Sequence, residues 1–359
     1  MTTQTSTPVP ALDGLRGLAV LIVLLSHMAN AGLPVLPGFS FSGTGKSGVY
    51  LFFVLSAFLL TRILLGKPWA QWRVSATWLD YVLRRVLRIW PAYLVVLLAS
   101  AALTVSGLAP WWPYPMDAEA LLRHLLLLEG VSVLWSVPVE FHYYLWLPLV
   151  AALLGLAAQR GGLWAAAFVA LLLTLAALAL WPPAESRVND VRLGPYLSLF
   201  FAGALAAVLS RRWSAAPPSA AALGVAGGLA VLALLATMPA LPALLGLLPF
   251  TPDLNHRWFV FFALAWSALL LAVVHGPAWL RQPFEWRPLR ALGWVSFSAY
   301  LWHMPVLAAV TGPLGFEGLP ALLLFALGTA LASWLSWRGF ERPLQGVRWP
   351  PSRKPPLAN

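Results

Sequence analysis

The feature that most constrains this chain is a recurrence. Apolar runs of about 20 residues, the length at which an α-helix crosses the hydrocarbon of a bilayer, return repeatedly with short polar interruptions. Ten can be counted, near 12–31, 48–65, 89–107, 133–157, 163–181, 195–210, 220–240, 258–275, 294–311 and 319–337. Residues 238–249 are also apolar, and either extend the seventh run or form a re-entrant piece. A helix satisfies its own backbone hydrogen bonds, so it is the form such runs take away from water. Composition agrees: 60% of the residues are hydrophobic and 10% charged, too few charges to cover a water-soluble surface. The expectation is an all-α, polytopic transmembrane helix bundle of about ten spans, without a separate soluble domain.

The formal net charge is +11. In a soluble protein that excess would point to nucleic acid. Here the basic residues lie between the apolar runs, which makes them topology signals, and no nucleic-acid partner is expected. With both termini cytoplasmic, the inner segments hold Arg62, Lys67, Arg73, Arg84, Arg85, Arg88, Arg211, Arg212, Arg281, Arg287 and Arg290, among others. The outer segments hold Lys46, Arg123, Arg187, Arg192 and Arg257. That bias supports the orientation. The chain has no cysteine, which removes disulfides, thiolate chemistry and Cys-based metal sites. The first run carries Asp13, Arg16 and His27 and lacks a basic leader region, so it reads as a retained span.

Charged and imidazole side chains inside hydrocarbon are costly and call for a reason. Arg16 and His27 are eleven residues apart, close to three helical turns, so they share a face, with His27 about 16 Å higher. Asp13 lies on the same stripe. Two readings are open: a rim ion pair with a hydrogen-bonded interior histidine, or a functional polar line. Arg85 and Arg88 share a face of the third helix; their forks suit phosphate oxygens, and the plain alternative is a cluster that sets topology or touches lipid headgroups. Glu140, about two turns below the outer boundary, is expected at a depth where it can meet His27 and orient its imidazole. The competing reading is a structural contact of Glu140 with Arg or Trp. His142 faces elsewhere. Ser296, Tyr300 and His303 form a second polar stripe, either a helix–helix contact or a site wall. Arg338, Glu341 and Arg342 at the end of the last run read as an ion-pair clamp or a headgroup contact. No Walker loop, GxSxG, HExxH or helix-opening GxGxxG is present, and no two likely ligands sit at i, i+4 on one span, so no metal is expected.

In order along the chain, LDGLRGLAVLIVLLSH, GVYLFFVLSAFL, RRVLRIWPAYL, LWSVPVEFHYYLWLP, LGWVSFSAYLWHMPVL and WRGFERPL resemble the segments of the bacterial membrane acyltransferase type 3 family. The resemblance runs from residue 12 to about residue 345. It implies a membrane acyltransferase domain over 1–345, followed by a short basic, Pro-rich cytoplasmic tail over 346–359, in a stand-alone form. Arg16 and His27 match the family's Arg-x10-His pair, Arg85 and Arg88 its Arg-x-x-Arg pair, Glu140 the acid of its Trp-Ser-x-Ser-Val-Glu segment, and Tyr300 and His303 its Ser-Tyr-x-x-Tyr-Leu-Trp-His segment. The sequence departs from the pattern at Tyr50, usually acidic, and at Ala57, Pro138, Phe141 and His142.

What the resemblance implies is an enzyme of the bacterial inner membrane. It would move an acyl group, by default acetyl, from cytoplasmic acyl-CoA to a hydroxyl of a glycan, a lipid-linked sugar or a macrolide-like acceptor. No bound cofactor is expected, acyl-CoA being a co-substrate. His27, Glu140 and Arg16 are the expected catalytic residues. Arg85, Arg88, Ser136, Tyr300 and His303 are the expected substrate-binding residues, with Tyr300 or His303 donating to the oxyanion. A proton-coupled transporter or flippase using the same buried Arg, His and Glu is the rival from another class, and a non-catalytic receptor a third. The sequence implies no oligomeric state.

Overall fold

The computed structural model describes residues 9–252 and 255–347. Of the expected tail, residues 348–359 lie outside the described residues. The main helices are α1 (Pro10–Asn30), α2 (Gly45–Leu65), α3 (Ser75–Ser106), α4 (Ala118–Leu125), α5 (Ser136–Leu180) and α6 (Leu197–Trp213). They continue with α7 (Ala220–Ala236), α8 (Phe259–His275), α9 (Ala278–Glu285), α10 (Arg287–Trp294), α11 (Ser296–Thr311) and α12 (Gly318–Ser336). No strand occurs among the described residues, only an isolated bridge between Leu36 and Phe39.

Each of the ten apolar runs falls on a helix, but not as ten equal spans. Among the described residues, six helices are long and apolar enough to cross a membrane, or seven with the pair α8 and α9, which is bent by 97°. The fourth and fifth runs share the 45-residue α5, broken at Gly162, whose φ of 72° only glycine adopts without strain. Helices α7 and α8 have 17 residues and α11 has 16, shorter than the ~20 that span about 30 Å of hydrocarbon. Residues 238–249 do not extend α7: after Pro239 a separate short helix, Ala240–Leu244, forms. The third run begins earlier than its apolar residues suggest, so Arg84, Arg85 and Arg88 sit well inside α3. The result is a multi-pass membrane protein, all-helical throughout the described residues.

Burial separates inner from outer helices. In α2 and α6, 67% and 72% of the most apolar stretch is buried, against 17% in α5 and 22% in α12. The outward faces of α5 and α12 expose Trp164, Phe168, Leu171, Leu323 and Leu327. Such continuous apolar surface requires lipid as its solvent.

Small residues set the inner contacts. A Cβ on Gly17 would lie 1.9 Å from the Leu289 carbonyl oxygen, and one on Gly48 would lie 2.4 Å from that of Ala19. Backbone therefore meets backbone, the packing available where the hydrophobic effect no longer drives helices together. Gly48 beside Ala19 and Gly45 beside Ser26 make α1 and α2 antiparallel, so the end of α2 returns to the end where α1 begins. That end, which also carries Arg16, Arg85 and Arg88, is called the basic end below. Tyr50, expected as a departure from the family pattern, donates to the His256 carbonyl at 2.5 Å and packs on Phe259 and Phe262. An aromatic cluster occupies the position that an acidic residue would hold.

Candidate active site

α1 carries the polar line that its periodicity predicts. Pro10 opens it, Asp13 lies in its positively polarised first turn, and Arg16 pairs with Asp13 at 3.6 Å. Asp13 also accepts from Trp294 Nε1 at 3.1 Å, which ties α1 to α10.

Three cavities follow this line from one end of the bundle to the other. The first, about 360 Å3, lies at the basic end against Asp13, Arg16, Arg88, Trp294, Trp337 and Glu341. The second, about 60 Å3, is lined by Arg16, Ser56, Arg85, Arg88, Ser136, Glu140, Tyr144 and Tyr300. Arg16, Arg88, Ser296 and Phe297 belong to both. The third, about 200 Å3, lies at the opposite end, called outer for its distance from the basic end, against Ser26, His27, Asn30, Lys46, Ser132, Trp135, Asn189 and Tyr300. Only Val49 and Tyr300 are common to the second and third, so the Tyr300 ring stands at their boundary.

In the middle cavity three guanidinium groups converge from two helices. Arg85 stacks over the Tyr144 ring at 5.8 Å, and its Nε is buried without a hydrogen-bond partner. A buried guanidinium with an unused donor is suited to an anion. Arg84, by contrast, turns away to Asp80 at 2.7 Å.

Glu140 does not meet His27. Its Oε1 accepts from Ser56 Oγ at 2.7 Å and from Tyr144 OH at 2.5 Å, and it lines the middle cavity with the arginines. His27 lines the outer cavity and faces His303, with ring centroids 5.2 Å apart. Helix pairing decides this: α11, not α5, lies beside the upper part of α1.

His303 is fixed by its own helix. Its Nδ1 lies 2.8 Å from the Tyr300 carbonyl oxygen and 3.1 Å from that of Ala299, so Nδ1 carries the proton. Nε2 is then a bare acceptor, buried and without a hydrogen-bond partner. The neutral ring therefore has no N–H to give an oxyanion. Nor has Tyr300: its hydroxyl donates to the Val133 carbonyl and accepts from Ser136 Oγ at 2.9 Å. Tyr300 and Ser136 wall the cavity, with their hydroxyls committed to one another and to backbone. His142 lines none of the three cavities.

Of the two readings of Arg338, Glu341 and Arg342, the ion-pair clamp does not form. A π-helical turn, Trp337–Glu341, follows α12 and rotates Glu341 inward, where Ser298 donates to it. Arg338 and Arg342 instead stack on Trp334 and Trp337, each at 5.3 Å.

Several lining residues carry little or no signal in the sequence. Tyr144 was within reach, four residues from Glu140 on one helix face. Ser56 carried no local signal. Neither did the outer loop, where Ser132 and Asn189 both adopt left-handed backbone, at φ 53° and 58°. There Asp190 is nearly buried, which by itself would raise its pKa. The Arg192 guanidinium, 2.6 Å away, and two backbone N–H groups outweigh that and hold it below the usual carboxylate range.

The chain matches the acyltransferase type 3 domain family over residues 9–338. It is 27% identical to the putative peptidoglycan O-acetyltransferase YrhL of Bacillus subtilis, over 96% of this chain and 56% of that protein. It is 24% identical to the peptidoglycan O-acetyltransferase OatA of Listeria monocytogenes, over 94% of this chain and 56% of that one. The O-acetyltransferase OatA of Staphylococcus aureus is likewise 24% identical, with 94% and 57% covered. The chain thus spans about half the length of the curated relatives it matches. No solved structure matches it.

Proposed function

The chain belongs to the acyltransferase type 3 domain family, and from that premise we propose that it is an O-acetyltransferase. In this reading acyl-CoA enters at the basic end, which faces the cytoplasm, and the acyl group passes to a hydroxyl of a glycan held at the opposite end. The observation that carries the reading is the series of three cavities along α1, with Arg16, Arg85 and Arg88 clustered toward one end and His27, Lys46, hydroxyls, amides and Trp135 at the other. The first half suits the phosphates of a nucleotide-bearing donor. The second suits a sugar. Relatives named as peptidoglycan O-acetyltransferases agree with a glycan acceptor. The ten apolar helical segments then cross the membrane ten times with both termini on the cytoplasmic face, and the membrane is the bacterial inner membrane.

Arg16, Arg85 and Arg88 hold the CoA phosphates. The pantetheine arm runs toward Tyr300, and the middle cavity, at about 60 Å3, widens to let it pass. At His27 the acceptor oxygen attacks the thioester carbonyl carbon while its proton moves to the imidazole. The C–S bond breaks, and the departing CoA thiolate takes that proton as the thiol. His303 assists through the lone pair on its buried Nε2, unpaired in the resting structure: when the His27 ring turns toward it, Nε2 accepts that ring's N–H and leaves the other His27 nitrogen free to act as base. This is the part that sequence reasoning gave to Glu140. Glu140 instead holds Tyr144, the ring over which Arg85 stacks.

The test is release of free CoA from labelled acetyl-CoA by the purified protein in nanodiscs, with and without peptidoglycan fragments. Wild type is expected to release CoA and to label the glycan, while His27→Ala does neither. Equal turnover by wild type and His27→Ala would remove the chemistry from His27. Movement of label across the bilayer without a covalent product would favour a transporter.

A further inference from the structure

Away from the three cavities, the basic end contains a fourth, of about 900 Å3, between the end of α2, the segment after it, the Gly155–Leu163 stretch of α5 and the end of α6. Three cations line it, Lys67, Arg211 and Arg212, and no Asp or Glu does. Arg211 donates to the Leu65 carbonyl, which caps the end of α2 and accounts for that one guanidinium. The side chains of Lys67 and Arg212 make no hydrogen bond or ion pair among the described residues. Like charges gathered in one concavity repel, so the arrangement favours a counter-anion.

The remaining walls define which anion. Trp69 and Trp72 lie ring to ring at 4.8 Å, and Trp72 is pinned by Trp78, whose Nε1 donates to its carbonyl at 2.8 Å. Paired indoles at a helix end suit the headgroup level of a bilayer. Leu65, Leu163 and Val208 line the same space. Just beyond the Gly162 break, α5 turns Trp164, Phe168 and Leu171 outward. Cations, interfacial tryptophans and an apolar exit occur together, and a soluble phosphate would use only the first of them.

We propose that this cavity binds the phosphate headgroup of an anionic phospholipid, with the acyl chains lying along α5. Basic pockets between membrane helices are suited to such headgroups. The site is separate from the acyl-transfer reading and stands or falls without it.

The test is native mass spectrometry of the full chain in detergent, titrated with phosphatidylglycerol or phosphatidylcholine of equal chain length. Sodium phosphate provides the soluble arm. Wild type is expected to retain phosphatidylglycerol over phosphatidylcholine. The double variant Lys67→Gln with Arg212→Gln leaves Arg211 in place, and it should lose about thirtyfold in phosphatidylglycerol affinity, from about a fivefold contribution per basic residue. The charge-keeping pair Lys67→Arg with Arg212→Lys should bind as wild type does, and so should Arg287→Gln, elsewhere at the same end. Should the double variant fail to fold, Arg212→Gln alone should lose about fivefold. Equal retention of the two lipids would overturn the proposal, as would undiminished binding by the double variant or an equal loss in Arg287→Gln. Displacement of the lipid by phosphate would make free phosphate the ligand and overturn it too.

Discussion

Replacing His303 with Phe separates stability from activity. An imidazole nitrogen lies about 1.2 Å from its ring centroid, so centroids 5.2 Å apart bring two nitrogens to about 3 Å when they point at each other, a hydrogen-bond distance. His303 Nε2 is the available acceptor, because Nδ1 is committed to the carbonyls of Ala299 and Tyr300. In the resting protein that lone pair is buried and unsatisfied, at a cost of roughly 1–3 kcal/mol. Phe keeps the ring and removes the orphan. The lost Nδ1–H bonds go to helix carbonyls that also serve the α-helical ladder, so the fold should change by no more than about 1 kcal/mol, in either direction. Activity should fall, since His27 loses the group that sets its tautomer. A kcat about a hundredfold lower corresponds to about 2.7 kcal/mol in the barrier. The donor KM should stay put, because the arginines are untouched. His303→Gln, which restores an acceptor oxygen, should recover activity to within about tenfold of wild type. The assay is steady-state CoA release in nanodiscs, beside thermal unfolding in the same nanodiscs. A His303→Phe protein with wild-type kcat, or one whose loss appears wholly in KM, would refute the positioning role.

Arg85→Ala should raise the donor KM by roughly ten- to a hundredfold with little change in kcat and a loss of stability of no more than about 2 kcal/mol, since it gives up only the stack on Tyr144 and its buried Nε has no protein partner; a kcat effect alone would contradict this. Tyr300→Ala should join the middle and outer cavities and raise acceptor-independent hydrolysis of acetyl-CoA severalfold, whereas Tyr300→Phe keeps the ring and the barrier; identical hydrolysis rates would mean the ring is no partition. Gly17→Ala sets a Cβ 1.9 Å from the Leu289 carbonyl oxygen and should cost about 3 kcal/mol or more. Gly228→Ala, with nothing within 4 Å, should be neutral or stabilise by up to about 1 kcal/mol. Thermal unfolding in detergent compares the two, and equal melting temperatures would argue against close packing of α1 on α10.

Much of the candidate site was legible along single helices. The spacing of Asp13, Arg16 and His27 puts them on one face of α1, and the structure keeps them on one line of cavities. The spacing of Arg85 and Arg88 brings both to the middle cavity. Tyr300 and His303 share a face, and their rings lie 5.9 Å apart. Each of these is a consequence of 3.6 residues per turn, which a sequence states openly. The pairing of Glu140 with His27 failed because equal depth on two helices does not make them neighbours. The clamp at Arg338 and Arg342 failed because a π turn inserts one extra residue of rotation before Glu341.

By itself the sequence determined that the chain is helical and lies in lipid, since runs of apolar residues with hardly a charge admit no other solvent. It also determined which residues share a helix face. The tertiary structure alone decided which faces meet. It set His303 rather than Glu140 beside His27, committed the Tyr300 hydroxyl to Ser136 and Val133, and gathered Lys67, Arg211 and Arg212 around one cavity. The physical reason is that helix periodicity is local, whereas close approach between helices turns on backbone contacts such as Gly17 against Leu289 and Gly203 against Val54, between residues remote in the chain.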